Sequence, residues 1–310
     1  MSTPTGPSGF SLPPLRNPVR TIGARSFDFS KQIAVMAIVN RTPDSFFDRG
    51  RTFGLKSAID AALAAAASGA DWVDIGGVKF APGPEVSAAE ELDRVLPVVG
   101  AVASRSDVVI SVDTFRTEVA QACIAAGASV INDTTGLHDP GLAELAAATG
   151  ATLVITHSRA RPRTAYARPQ YDDVVKEVVY FLQSRIEMAV GLGVPEQNII
   201  IDPGHDLNKN TLHSLEITRR FDEIARIGLP SIAAVSNKDF LGESLDLPRT
   251  ERADASLAAA TACALLGARV VRMHDVPRSV QAMRMTEAIL GLRPPALLRH
   301  NMSDVNEQPA

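Results

Sequence analysis

The chain has 310 residues, 45% of them hydrophobic, with 31 basic against 35 acidic side chains and a formal net charge of −4. That apolar share can fill a large core, and the mild acidity excludes a dedicated binder of nucleic acid or membrane surface, which needs a basic face. No signal segment opens the chain and no apolar run nears the ~20 residues of a membrane span, so a cytoplasmic protein is expected.

Residues 1–28, rich in Pro, Ser and Gly, read as a flexible N-terminal arm. From 29 to 295 one pattern repeats: a short β-branched apolar run, a polar or glycine-containing loop, then a helix rich in Ala and Leu. Strands are predicted at 33–39, 72–75, 108–112, 129–131, 152–156, 198–201, 231–235 and 269–273. Their near-continuous hydrophobicity suits parallel strands covered by helices.

Helices are predicted between them. The first spans 56–67. The next follows Ser87-Ala-Ala-Glu90, a capping box whose helix buries Leu92, Val95, Leu96 and Val99. A third, at 171–190, carries a stripe of Val174, Val178, Phe181 and Leu182, and two more lie at 252–266 and 278–290. Residues 296–310 read as a C-terminal tail. Eight such units imply an α/β chain folded as a single (β/α)8 TIM barrel. No glycine-rich fingerprint follows the first strand, which counts against an open dinucleotide-binding sheet. The two cysteines, Cys123 and Cys263, are expected as buried, reduced thiols.

A barrel of this kind carries its site where the strands meet the loops at their C-terminal ends. Every predicted strand ends in polar or glycine residues: Asn40, Gly76-Gly77, Asp113-Thr114, Asn132-Asp133, His157, Asp202-Pro-Gly204, Ser236-Asn-Lys238, and Arg272 with His274 and Asp275. Any one of them alone suits a residue capping the next helix; together they converge on one mouth. Asp113, Asn132 and Asp202 can pair with the donors of a flat heterocycle, a carboxylate gripping an amino-pyrimidine edge bidentately. Arg272 and His274 alternate along the last strand and face one way, toward an anion. Asn40 offers an oxygen to a hydrated Mg2+ carrying a diphosphate.

Other residues ask for less. Trp72 reads as barrel packing, and His138, His213 and His300 as residues without a catalytic role. His157 closes a strand and either caps or supports the site. Asp44 and Asp48 sit in a loop that closes over a ligand, with Gly50 permitting the movement. The basic run Arg159-Ala-Arg-Pro-Arg163 reads as a solvated loop, the alternative being that it lends charge to the site.

The ordered motifs resemble those of dihydropteroate synthases. Met36-Ala-Ile-Val-Asn40-Arg-Thr-Pro-Asp-Ser-Phe-Phe-Asp48-Arg-Gly50 is similar to the first signature and Gly69-Ala-Asp-Trp-Val-Asp-Ile-Gly-Gly77 to the start of the second. Ser111-Val-Asp-Thr114, Ile131-Asn-Asp133, Asp202-Pro-Gly204, Ser236-Asn-Lys-Asp-Phe240 and Val271-Arg-Met-His-Asp-Val276 follow in the family's order. The resemblance implies condensation of a pterin diphosphate with p-aminobenzoate, p-aminobenzoate or sulfonamide- and sulfone-like compounds as further ligands, Mg2+ as cofactor, and a homodimer. It places Asp113, Asn132, Asp202 and Lys238 in the pterin pocket, and Asn40, Arg272 and His274 at the diphosphate and metal. Arg272, His274 and Lys238 are the implied catalytic groups.

Three stretches depart from the family pattern. After Gly77 the usual Glu-Ser-Thr-Arg-Pro-Gly becomes Val78-Lys-Phe-Ala-Pro-Gly83, so Phe80 replaces a Thr at the diphosphate and Ala81 an Arg. Losing one charge-assisted contact costs about 1.5–3 kcal/mol, or roughly tenfold to a hundredfold in affinity. The family's Ser-Arg-Lys reads Ser236-Asn-Lys238, so Asn237 replaces an Arg. A Phe/Gly-rich stretch becomes His205-Asp-Leu-Asn-Lys209. The chain is therefore similar to the divergent second copy of the synthase that some bacteria carry, with ordinary activity expected weak or absent. A working synthase, a non-catalytic pterin-binding scaffold and a transferase with another acceptor stay open.

Overall fold

A computed structural model describes residues 11–42 and 54–301. Eight parallel strands form the barrel: β3 (Ala34–Asn40), β4 (Trp72–Gly76), β5 (Val109–Asp113), β6 (Val130–Asp133), β7 (Thr152–Thr156), β8 (Ile199–Asp202), β9 (Ile232–Ala233) and β10 (Val270–Met273). Each pairs with its neighbour in chain order, and β10 returns to lie between β3 and β9. A bridge between Ile201 and Ser231, with the Ile201 N–H donating to the Pro230 carbonyl at 3.1 Å, joins β8 to β9 and closes the ring.

Helices follow each strand on the outside. They are α1 (Leu55–Ala67), α2 (Ala88–Ala103), α3 (Thr117–Ala125), α4 (Gly141–Thr149), α5 (Val174–Gly191), α6 (Thr211–Arg219), α7 (Phe221–Ala225), α8 (Asp239–Leu245), α9 (Ala253–Leu265) and α10 (Val276–Ile289). Among the described residues no helix is long and apolar enough to cross a membrane. Ser87 caps α2 by accepting the Glu90 N–H at 3.2 Å, while the Glu90 carboxylate turns to Arg94. Asp173 caps α5, accepting from Val175 and Lys176 at 3.1 Å each, so that helix starts at Val174 and not at the predicted 171.

Period-two alternation sorts each strand between two cores. Outward residues such as Val73, Ile75, Ile110 and Val112 pack beneath the helices with both cysteines buried as free thiols. Inward residues Met36, Trp72, Val109, Val130, Val154, Ile200, Ile232 and Val270 fill the barrel foot. Both faces are apolar, which is why these strands read as hydrophobic runs.

The N-terminal arm needs correction. Residues 19–28 form an antiparallel hairpin of β1 (Val19–Ile22) and β2 (Arg25–Asp28) turning at Gly23, whose φ is +59°. Ile22, Phe27 and Phe29 plug the foot, Phe27 meeting the fully buried Trp72 edge-on at 5.9 Å. Arg20, buried beside them, donates to the carbonyls of Ile199 at 2.6 Å and Gln197 at 2.8 Å. Burial draws its pKa down to about 10, still well above neutrality. Trp72 is thus packing. Of the tail at 296–310, Leu297 and Leu298 are exposed.

Candidate functional site

Sheet register brings the polar strand ends level. Asn40 pairs with Gly76, Gly76 with Asp113, and Asp113 with Asn132, so three of the predicted residues stand in one row. Gly76 leaves room between them: a Cβ there would meet the Asn40 Oδ1 and the Asp113 Cβ, each at 3.4 Å. Around this row opens a cavity of about 290 Å3. All seven predicted site residues line it: Asn40, Asp113, Asn132, Asp202, Lys238, Arg272 and His274. So do the three altered positions Phe80, Ala81 and Asn237.

Below the row lies Asp74, fully buried in the middle of β4, to which the sequence reading gave no role. Its carboxylate accepts from Ser111 Oγ at 2.6 Å, Asn132 Nδ2 at 3.1 Å and Arg272 Nε at 2.7 Å. Arg272 Nη2 then donates to Asp113 Oδ2 at 3.2 Å. A buried carboxylate in an apolar strand demands such partners, and that was the available signal. Arg272, expected to face an anion, lines the cavity, but its fork is committed to two carboxylates. Burial opposes its charge, yet Asp74 and Asp113 outweigh that and raise its pKa above the ordinary value. The Asn132 amide, donating to Asp74, leaves its carbonyl as an acceptor for the cavity.

Titration in the cavity is set by burial. Burial, then the Asp74 carboxylate, pushes the Asp113 pKa up to about 7 against the pull of Arg272. Burial also raises Asp202, although its Oδ1 accepts the Gly204 N–H at 2.7 Å. Lys238, half-buried, is lowered by burial while Asp206, Asp202 and Asp113 sustain its charge. His274 Nδ1 lies 2.9 Å from Ser236 Oγ, which fixes the ring at the rim.

Several neighbours act behind the cavity wall. Lys209, buried, places Nζ 2.8 Å from His157 Nδ1, 2.9 Å from the Gly204 carbonyl and 3.0 Å from that of Leu207. Burial draws its pKa down to about 7, and burial with this ammonium beside it draws His157 down to about 2. His157 is therefore a neutral acceptor that ties β7 to the loop after β8, outside the cavity lining. His213 serves in the cap of α6, and His138 and His300 are exposed. Asn237 sits at φ +57°, a backbone that Asn tolerates, with its N–H on Ser256 Oγ at 3.0 Å.

The basic run divides. Arg159 stacks on Tyr171 at 3.7 Å and pairs with Glu177, away from the cavity. Arg161 and Arg163 line a neighbouring crevice of about 500 Å3 with Gly83, Arg116 and His138. The predicted closing residues Asp44, Asp48 and Gly50 lie outside the described residues. Among the described residues, no group of three or more His, Cys, Asp and Glu gathers to hold a metal ion.

The family of pterin binding enzymes matches residues 36–274. An inactive dihydropteroate synthase 2 from Mycobacterium leprae (strain TN) is 44% identical over 267 residues, covering 84% of this chain and 92% of its own length. A dihydropteroate synthase from Escherichia coli (strain K12) is 39% identical over 260 residues, covering 84% and 92%. The crystal structure of Yersinia pestis dihydropteroate synthase in a sulfonamide drug complex superposes with a TM-score of 0.83 at 38% identity, covering 87% of this chain and 98% of that one.

Proposed function

Because the chain belongs to the pterin-binding, dihydropteroate synthase family, we propose that it binds a pterin in the cavity at the barrel mouth and condenses it with p-aminobenzoate weakly or not at all. One observation supports this: Asp113, Asn132, Asp202 and Lys238 line the same cavity as the altered residues Phe80, Ala81 and Asn237. The polar set suits the edge of a flat aminopyrimidine ring. The substituted set lacks the guanidinium and hydroxyl donors that a leaving diphosphate requires. The 44% identity to a relative named as inactive supports the same reading.

The residues present fit Mg2+ only as a partner of a bound diphosphate. Asn40 supplies one amide oxygen, and Mg2+ ordinarily keeps most of its waters and takes few protein ligands. Bound there, the metal would neutralise leaving-group charge. The chain's own residues bind and orient: Asp113, Asn132 and Asp202 take the ring edge, and Lys238 supports it. Arg272 holds Asp113 in place from behind, while His274 stands at the rim on Ser236. The proposal extends to a homodimer and a cytoplasmic setting. In its favour, Leu212 on α6 and Leu245 on α8 are exposed on helices that a Thr211–Glu243 hydrogen bond ties together.

A second reading, a working synthase with altered loops, is favoured by Lys79, which lines the cavity beside Phe80. Calorimetry and turnover with pterin diphosphate and p-aminobenzoate separate the two. Negligible turnover by the unaltered chain, with activity gained in the triple variant Phe80→Thr, Ala81→Arg, Asn237→Arg, is the expected result. Robust turnover by the unaltered chain favours the second reading. No pterin or sulfonamide binding by either form leaves only a barrel kept as a scaffold or turned to another ligand.

A further inference from the structure

The cavity has two unlike walls. The strand side offers hydrogen-bonding and charged groups; the loop after β4 offers Val78, Phe80 and Ala81. That loop is fastened from its outer side by Arg163. The Arg163 N–H donates to the Phe80 carbonyl at 2.9 Å, its Nη1 to the Ala81 carbonyl at 2.7 Å and its Nε to the Pro84 carbonyl at 3.0 Å. Gly83 makes the contact possible, since a Cβ there would fall 2.0 Å from Arg163 Nη2. The guanidinium is thereby held on the neighbouring crevice, while Phe80 lines the cavity.

The cations on the cavity side already face acids of this chain. Arg272 is held by Asp74 and Asp113, and Arg249 reaches both oxygens of Asp239 at 3.0 Å. Lys238 faces Asp206 and Asp202. Lys79 adds one ammonium, a point charge and not a fork. A multiply charged ester laid against Phe80 and Ala81 loses hydration without an equivalent set of donors to replace it. An uncharged hydroxymethyl or aryl group loses far less.

We propose that the latched loop makes this chain selective for pterins whose ring substituent is uncharged. Phe80 is the specificity-determining residue and Arg163 the positioning residue that holds its loop. The inference rests on the pterin reading above.

The test titrates the full chain with 6-hydroxymethylpterin and with its diphosphate, each with and without Mg2+. The alcohol is expected to bind at least tenfold tighter in both conditions. Phe80→Thr combined with Ala81→Arg is expected to narrow that ratio at least tenfold. Arg163→Ala, which leaves the polar wall untouched, is expected to narrow it too and to speed tryptic cleavage after Lys79 in the ligand-free chain. Diphosphate binding as tight as the alcohol's in the unaltered chain overturns the selectivity. Unchanged cleavage in Arg163→Ala overturns the latch. Binding of neither pterin sinks the pterin reading, and this inference with it.

Discussion

The strand-borne and loop-borne halves of the cavity are built by different means. On the strand side Asp74, Ser111, Asn132, Asp113 and Arg272 are placed by the register of the strands, buried or half-buried, and bonded to one another. On the loop side the backbone from Phe80 to Pro84 is gripped by one half-buried arginine from another loop. A change in the first half leaves a charge stranded in the barrel; a change in the second alters what lies against a ligand and little else. That difference fits a loop that departs from the family pattern beside strand ends that follow it.

The largest effect should come from striking the first half. Asp74→Ala removes the partner of a buried guanidinium and is expected to cost about 3–5 kcal/mol in urea unfolding; a loss under 1 kcal/mol would mean that water already screens the network. Asp113→Asn keeps the shape but removes an ionisable acceptor, and pterin affinity should fall roughly tenfold to a hundredfold. Because the Asp113 pKa stands at about 7 and its ionised form is the acceptor, affinity in the unaltered chain should rise with pH through that value. Calorimetry from pH 6 to 8 checks the slope, and Asp113→Asn should flatten it.

Acid should act more gently. His157 and His205 have folded pKa values drawn by burial to about 2 and about 3, below their ordinary value of 6.5. The unfolded chain takes protons at these two rings that the folded chain refuses, so the stability they contribute is full above pH 6.5 and drains as pH falls. His205→Phe, stacked between Phe221 and Phe240, should weaken that decline; an unchanged slope would point to other groups. Arg163→Ala should be smallest in stability, within about 1 kcal/mol, because its bonds lie at the surface. A larger loss by urea unfolding would mean that the loop is part of the core.

The barrel was legible because parallel strands covered on both faces announce themselves as apolar runs, and polar residues at their ends mark one rim. Less of the site could be read. Asp74 lies inside the Gly69–Gly77 motif without standing out, its importance resting on Arg272 almost two hundred positions away. Arg163 looked like one charge in a solvated run because its partners are carbonyls, which leave no trace in a sequence. The β1–β2 hairpin was missed for a compositional reason: two four-residue strands are outweighed by the Pro, Ser and Gly around them.

That hairpin bears on biosynthesis. It is made long before its partners: Arg20, and Arg16 just ahead of it, bond carbonyls at Ile227, Gly228, Gln197 and Ile199, up to 212 positions later. The foot of the barrel can therefore be sealed only near the end of synthesis. Trimming past residue 28 would remove Ile22 and Phe27, the side chains that cover Trp72 at the foot.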